Sequence, residues 1–352
     1  MTRRALVVCP GRGSYSRDTL GSLSGRSPAV DVLLDACDAH REAHGRPGVR
    51  ALDAEATFRT TRHVAGEHAS LLTFACTLAD AFELDRERYE VVGVTGNSMG
   101  WYTALAASGA LSLADAVRLV DTMGAYQQGT PIGGQVLLPC SSEVRAGHLE
   151  NPSKVAAIDA VLAACRDAGH AAEWSIRLGG YAVLGADKAG IRWLLEHLPK
   201  ETRGSRAFPV QLPMHSAFHT ALLRDTSETA RNDLADLQYQ APDVPLVDGR
   251  GMVFRPFHAD PLDLAEYTLG HQVVAPYDFS AAVHTALRHT GADVVVALGP
   301  GNSLGGPLAR ILVAAGWHGV RDSAGLAALQ SSDTPALLSF GVPEQRAQLV
   351  AG

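Results

Sequence analysis

The sequence predicts an α/β fold with a largely parallel sheet and a small inserted α+β subdomain, on three observations. Short apolar runs bounded by Gly or Pro alternate with longer Ala- and Leu-rich stretches, the pattern of strands feeding helices. The strongest runs lead directly into turns rich in Gly, Pro or Ser. The 352-residue chain is 46% hydrophobic and only 19% charged, which supplies a large buried core and excludes a disordered protein. The strand candidates are residues 5–9, 91–95, 208–212 and 294–298. Helical periodicity marks residues 69–82, 100–107, 113–127 and 155–168, which are expected to cover the sheet faces. Residues 133–202 hold strand-like pieces at 135–140 and 174–184 and helical ones at 155–168 and 188–198, the order of a small inserted unit. Functional groups of such folds gather after the strands.

Composition removes several function classes. With 30 Lys+Arg against 37 Asp+Glu the formal charge is −7, and no basic block is present that could neutralise a run of phosphates, so nucleic acid is not an expected partner. No stretch approaches the roughly 18 apolar residues of a membrane span. Arg3 and Arg4 precede an apolar run that Pro10-Gly11 halts, too short for a secretory signal and readable as a first buried strand. The five cysteines (Cys9, Cys37, Cys76, Cys140, Cys165) are odd in number and contain no C-x-x-C pair, which fits a reducing cytoplasm.

The chemistry centres on Gly96-Asn97-Ser98-Met99-Gly100, a G-x-S-x-G motif that follows an apolar strand and opens a helix. A serine on such a turn is held exposed, the flanking glycines let the backbone bend, and the next amide faces the same pocket near a helix N-terminus. A serine hydroxyl needs a base, and 14 histidines are available. His215 and His219 stand just beyond a predicted strand, and on spacing alone either would serve.

At these residues the chain resembles the malonyl-CoA:acyl-carrier-protein transacylase family, including polyketide synthase-type acyltransferases. Cys9-Pro10-Gly11-Arg12-Gly13-Ser14 is similar to the family's F-P-G-Q-G-S, and Gly96 to Leu105 to G-H-S-L-G-E-Y-S-A-L. Pro209 to Ala217 is similar to P-V-S-V-P-S-H-C-A, His271-Gln272 with Pro276 to R-Q-x-x-x-P, and Leu298 to Gly301 to V-G-P-G. The resemblance implies an α/β-hydrolase-like core (residues 1–132 and 203–352) with a ferredoxin-like subdomain (residues 133–202). It implies that Ser98 takes an acyl group from a coenzyme A thioester, with no bound cofactor, and passes it to the phosphopantetheine thiol of an acyl carrier protein, in polyketide or fatty-acid-type biosynthesis. It selects His215 as the base, oriented by the backbone carbonyl of Gln272, and the amides of Met99 and Arg12 as the oxyanion hole.

The chain departs from the family where the acyl group would lie. Twenty-five residues after Ser98 the family carries an arginine that holds a free carboxylate, and this chain has Met123. Methionine offers no charge and no donor, so this position on its own predicts a neutral, non-malonyl acyl group. Trp101 in place of an acidic residue and Arg12 in place of glutamine are expected at the same mouth, with His219 also lining the pocket. Arg12 could supply a cation from the opposite wall. Two other functions are consistent with the same residues: an acyl-carrier-protein hydrolase, in which water discharges the acyl-serine, and a catalytically silent carrier-docking module. Arg118, Arg203 and Arg206 are candidates for a basic patch facing an acidic carrier protein.

Overall fold

The computed structural model describes residues 2–127, 129 and 131–351. The main sheet has six strands in the order Val253–Phe254, Leu246–Val247, Tyr89–Gly96, Arg3–Cys9, Val294–Ala297 and Leu337–Ser339. The pair at the Val253–Phe254 edge is antiparallel and all the others are parallel. Ala5 to Cys9 and Val294 to Ala297 are buried on both faces, so these central strands read as unbroken apolar runs instead of alternating ones. Helix Gly66–Glu83 is buried around almost its whole circumference, and helices Gly100–Ala107 and Leu113–Ala125 pack against it. Its contact with Leu113–Ala125 is close because both helices present glycine there: a Cβ on Gly124 would lie 2.8 Å from the Gly66 carbonyl oxygen.

Beneath that crossing sits a buried ionic cluster. Asp121 accepts from Arg41 Nη1 at 2.8 Å and lies 2.8 Å from Arg46 Nη2, and Arg41 also donates to the carbonyls of Pro47 and Glu67. Both Arg41 and Asp121 have fully buried side chains, and the second carboxylate oxygen of Asp121 is compensated by the charge of Arg46 instead of by a hydrogen bond.

The second sheet runs Tyr277–Asp278, Ala172–Leu178, Tyr181–Ala186, Gly134–Pro139, Val210–Gln211. The stretch expected to be one strand at 174–184 is a hairpin turned at Gly179 and Gly180, whose φ values of 53° and 82° are those a two-residue turn of this hand requires. Two edge strands of this sheet, Val210–Gln211 and Tyr277–Asp278, come from outside residues 133–202. The strand period of two then divides the faces. Val136, Leu138 and Leu184 face helices Pro152–Asp167 and Lys188–His197, whose Ile158, Leu162 and Leu194 complete a separate small core. Gln135, Leu137 and Val183 face the other way, toward a cavity shared with the main domain.

Candidate active site

Strand Tyr89–Gly96 delivers Ser98 to a sharp turn before helix Gly100–Ala107. Ser98 has φ 55°, a left-handed conformation that costs a non-glycine residue about 1–3 kcal/mol. The turn is possible only because its flanks lack side chains. A Cβ at Gly96 would lie 2.2 Å from the Gly100 carbonyl oxygen, and one at Gly100 would lie 2.3 Å from that of Cys9. Gly11 approaches from the first strand, where a Cβ would sit 3.5 Å from Ser98 Cβ, so the loop after Cys9 lies against the nucleophile. Among the described residues, the backbone N–H groups of Arg12 and Met99 have no hydrogen-bond partner in the protein, as donors reserved for an oxyanion would.

The histidine that meets Ser98 is His219, which corrects the choice of His215. Ser98 Oγ lies 2.7 Å from His219 Nε2, and His219 Nδ1 donates to the Gln272 carbonyl at 2.5 Å. A carbonyl can only accept, so the ring proton sits on Nδ1 and the Nε2 lone pair faces the hydroxyl. Burial lowers the His219 pKa from 6.5 to about 4, against a smaller raising effect of the Gln272 carbonyl, so the ring is neutral near pH 7 and available as a proton acceptor.

The reason for the exchange is where the chain is anchored. The His219 backbone N–H donates to the Val273 carbonyl at 2.8 Å, which fixes residue 219 beside the Gln272 carbonyl. His215, four residues earlier, is tied instead to the small sheet, with Nδ1 2.9 Å from Gln135 Oε1. The Gln135 amide donates to Ser175, so its oxygen accepts from His215 Nδ1–H and His215 Nε2 is left facing the Gly13 loop. Nothing in the spacing of two histidines four apart separates them; the distinguishing contact is across 53 residues of chain.

Gln272 acts through its side chain as well, which the sequence did not indicate. Its Nε2 donates to the Ser98 carbonyl at 3.1 Å and its Oε1 accepts from the Tyr102 hydroxyl at 2.8 Å. One residue therefore braces the serine turn and the histidine together. Tyr277, whose ring lies 5.4 Å from that of His219, donates its hydroxyl to the Gly96 carbonyl at 2.6 Å and backs the turn from below.

Ser98 opens into a cavity of about 590 Å³ between the two sheets. Its apolar wall includes Leu137, Ile176, Val183 and Phe218, and Met123 lines it too. Trp101 does not. It is fully buried on the opposite side of its helix, with Nε1 donating to Thr268 Oγ1 at 2.9 Å and its ring edge-on to Tyr267, so its expected place at the pocket mouth is corrected. His219 is likewise not on the cavity wall: it is fully buried behind Ser98. Arg12 is inside the cavity, with Nη2 donating to the Met214 carbonyl at 2.6 Å. Of the three surface arginines, Arg118 is held by Asp236 and Arg203 by Glu201, whereas Arg206 is exposed at the cavity and lies over the Phe208 ring. Among the described residues no His, Cys, Asp or Glu cluster has the makings of a metal site, and no helix is long and apolar enough to cross a membrane.

No family model matches the chain. Curated relatives do: it is 24% identical over 307 residues to the malonyl CoA-acyl carrier protein transacylase of Bacillus subtilis, covering 86% of this chain and 88% of that one. It is 26% identical over 245 residues to the polyketide biosynthesis protein ThaF of Burkholderia thailandensis, where the match spans 69% of this chain but 19% of the longer protein. Among solved structures, the acyl-carrier-protein S-malonyltransferase of Burkholderia pseudomallei superposes with a TM-score of 0.72 at 23% identity, covering 98% of each chain. A malonyl-transacylase solved in complex with a type II polyketide synthase acyl-carrier protein superposes with a TM-score of 0.72 at 17% identity, covering 99% of each chain. The chain is thus similar in sequence to malonyl CoA-acyl carrier protein transacylases and to a polyketide biosynthesis protein, and shares the mixed α/β fold of the solved S-malonyltransferases.

Proposed function

We propose that the protein is an acyltransferase that carries an acyl group on Ser98 between a coenzyme A thioester and the phosphopantetheine thiol of an acyl carrier protein. The carrying observation is the contact of Ser98 Oγ with a neutral His219 Nε2, backed by the Gln272 carbonyl, at the floor of a cavity large enough for an acyl chain. His219 takes the hydroxyl proton as Oγ attacks the thioester carbonyl, and the N–H groups of Met99 and Arg12 receive the oxyanion, each such donor worth about 3–4 kcal/mol of barrier. The carbon–sulfur bond then breaks and His219 returns the proton to the departing thiolate. A carrier thiol repeats the sequence in reverse order and leaves with the acyl group. An acidic carrier would approach past Arg206, and a reducing, cytoplasmic setting suits five buried free thiols.

Met123 taken alone favours a neutral acyl group, and the cation at Arg12 opposes that reading, as argued below. The docking-module alternative has no use for a serine and an imidazole held in register, and is set aside for that reason. Intact-protein mass analysis after mixing with acyl-CoA is the test: a Ser98 adduct that appears, then moves to added holo-carrier protein, is the expected result. Acyl-carrier protein offered alone separates the hydrolase: free acid accumulating without acceptor would replace transfer by hydrolysis, and absence of any adduct would overturn both.

A further inference from the structure

Arg12 is a cation with an unused donor inside the cavity that Ser98 opens into. Its Nη1 is buried and, among the described residues, has no hydrogen-bond partner. Among the described residues, the one bond of its guanidinium is from Nη2 to the neutral Met214 carbonyl. Among the described residues no carboxylate pairs with it, and burial lowers its pKa to about 10, so it remains charged near pH 7. Arg12 as a whole is partly exposed at the cavity, but its Nη1 is a buried charged donor left unpaired, which is costly, and an anion entering the cavity would satisfy it.

Its position says which anion. Nη1 sits over Gly66, 2.6 Å from where a Cβ on that glycine would be, and beside the Gln127 side chain. Gly66 is therefore the residue that leaves room for the guanidinium. Gln127 lies four residues beyond Met123, just past the end of helix Leu113–Ala125, and Arg12, Met123 and Gln127 all line the same cavity. Among the described residues Gln127 Oε1 is also without a hydrogen-bond partner. Arg12 and Ser98 line one cavity, with their loops in contact through Gly11.

We propose that Arg12 is the specificity-determining residue for the acyl group: it receives the free carboxylate of a dicarboxylic acyl thioester, so that this chain selects an anionic acyl group with a cation supplied from the loop after the first strand instead of from position 123. This rests on the acyl-Ser98 reading above. The carboxylate stays ionised throughout; only the Oγ–carbon bond forms and the carbon–sulfur bond breaks. Apolar Ile176, Leu178 and Met123 then hold the methylene segment between ester and carboxylate.

The test pairs acyl donors by length. Malonyl-CoA with acetyl-CoA, and succinyl-CoA with butyryl-CoA, are offered to the intact protein and the rate of Ser98 labelling is followed by mass. At least one diacid is expected to label faster than its neutral partner. Arg12→Gln, which keeps the backbone amide, is expected to reduce the diacid-to-neutral ratio about 10- to 100-fold, the usual worth of a hydrogen bond to a charged group. Adding Met123→Arg to that variant is expected to restore the ratio. Because the ratio is taken within one preparation, partial unfolding lowers both arms alike. Neutral donors labelling as fast as their diacid partners, or a ratio unmoved by Arg12→Gln, would overturn the assignment of Arg12 while leaving Ser98 chemistry in place. No labelling by any donor would remove the acyl-serine reading itself, and this inference with it.

Discussion

Exchange of the two histidines gives the most direct test of the site. His219→Ala removes the only imidazole within hydrogen-bonding distance of Ser98 Oγ, which is 2.7 Å away, and leaves the serine turn and its amides in place. General-base catalysis is worth about 10²- to 10⁴-fold, or roughly 3–5 kcal/mol, so the Ser98 acylation rate is expected to fall by that much and not to zero, since the amides of Met99 and Arg12 remain. His215→Gln touches only the cavity wall and the Gln135 contact, and is expected to keep the rate within about tenfold. The pH dependence provides a second reading. With a pKa of about 4, only about one His219 ring in a thousand is protonated at pH 7, so acylation is expected to be flat from about pH 6 to 8 and to fall on the acid side with a midpoint near 4. The assay is rapid-quench mass analysis of the Ser98 adduct, with thermal melting as the control for folding. An acylation rate that survives His219→Ala in a folded protein but is lost in His215→Gln would refute the reasoning.

Gly96→Ala places a methyl 2.2 Å from a backbone oxygen that cannot rotate away, and a loss of about 3 kcal/mol of stability is expected in denaturant titration, with loss of acylation in whatever remains folded. Gln272→Leu deletes the bonds to Ser98 and Tyr102 but keeps the carbonyl that holds His219; acylation is expected to slow about tenfold with its pH midpoint unmoved, which stopped-flow labelling across pH would measure. Buried His219 also makes the fold acid-sensitive: its pKa is about 4 when folded against 6.5 in the unfolded chain, so the unfolded state binds more protons between those values. Stability from this group is complete above pH 6.5 and decreases by up to about 3 kcal/mol as pH falls to 4, and His219→Gln is expected to remove that part of the slope in urea midpoints measured at each pH.

What the sequence disclosed follows from which forces are local. Strands Arg3–Cys9 and Val294–Ala297 are legible because a parallel strand buried on both faces must be apolar at every position, and the serine turn because Gly96 is demanded by the Gly100 backbone four residues on, although Gly100 itself is demanded by the distant Cys9 carbonyl. The hairpin of Ala172–Leu178 and Tyr181–Ala186 reads as one strand in the sequence although Gly179-Gly180 stands in its middle, since flanking apolar residues mask a turn whose evidence is two φ angles. Trp101 was misplaced because a helix of eight residues does not declare which face meets the core; Tyr267 and Thr268 decide that, more than 160 residues away. Arg12 was visible as a charge, but whether a charge is buried without a partner depends on Gly66 and Gln127 converging on it from other elements. The histidines show the same rule in its sharpest form. His215 has the better local motif, yet a base is defined by what holds its far nitrogen, and the carbonyl that does so belongs to Gln272, reached only by the residue whose own N–H is bonded to Val273. A local pattern can nominate a nucleophile, because strain at a turn is local; it cannot nominate the partner, because the partner is chosen by a third segment of chain.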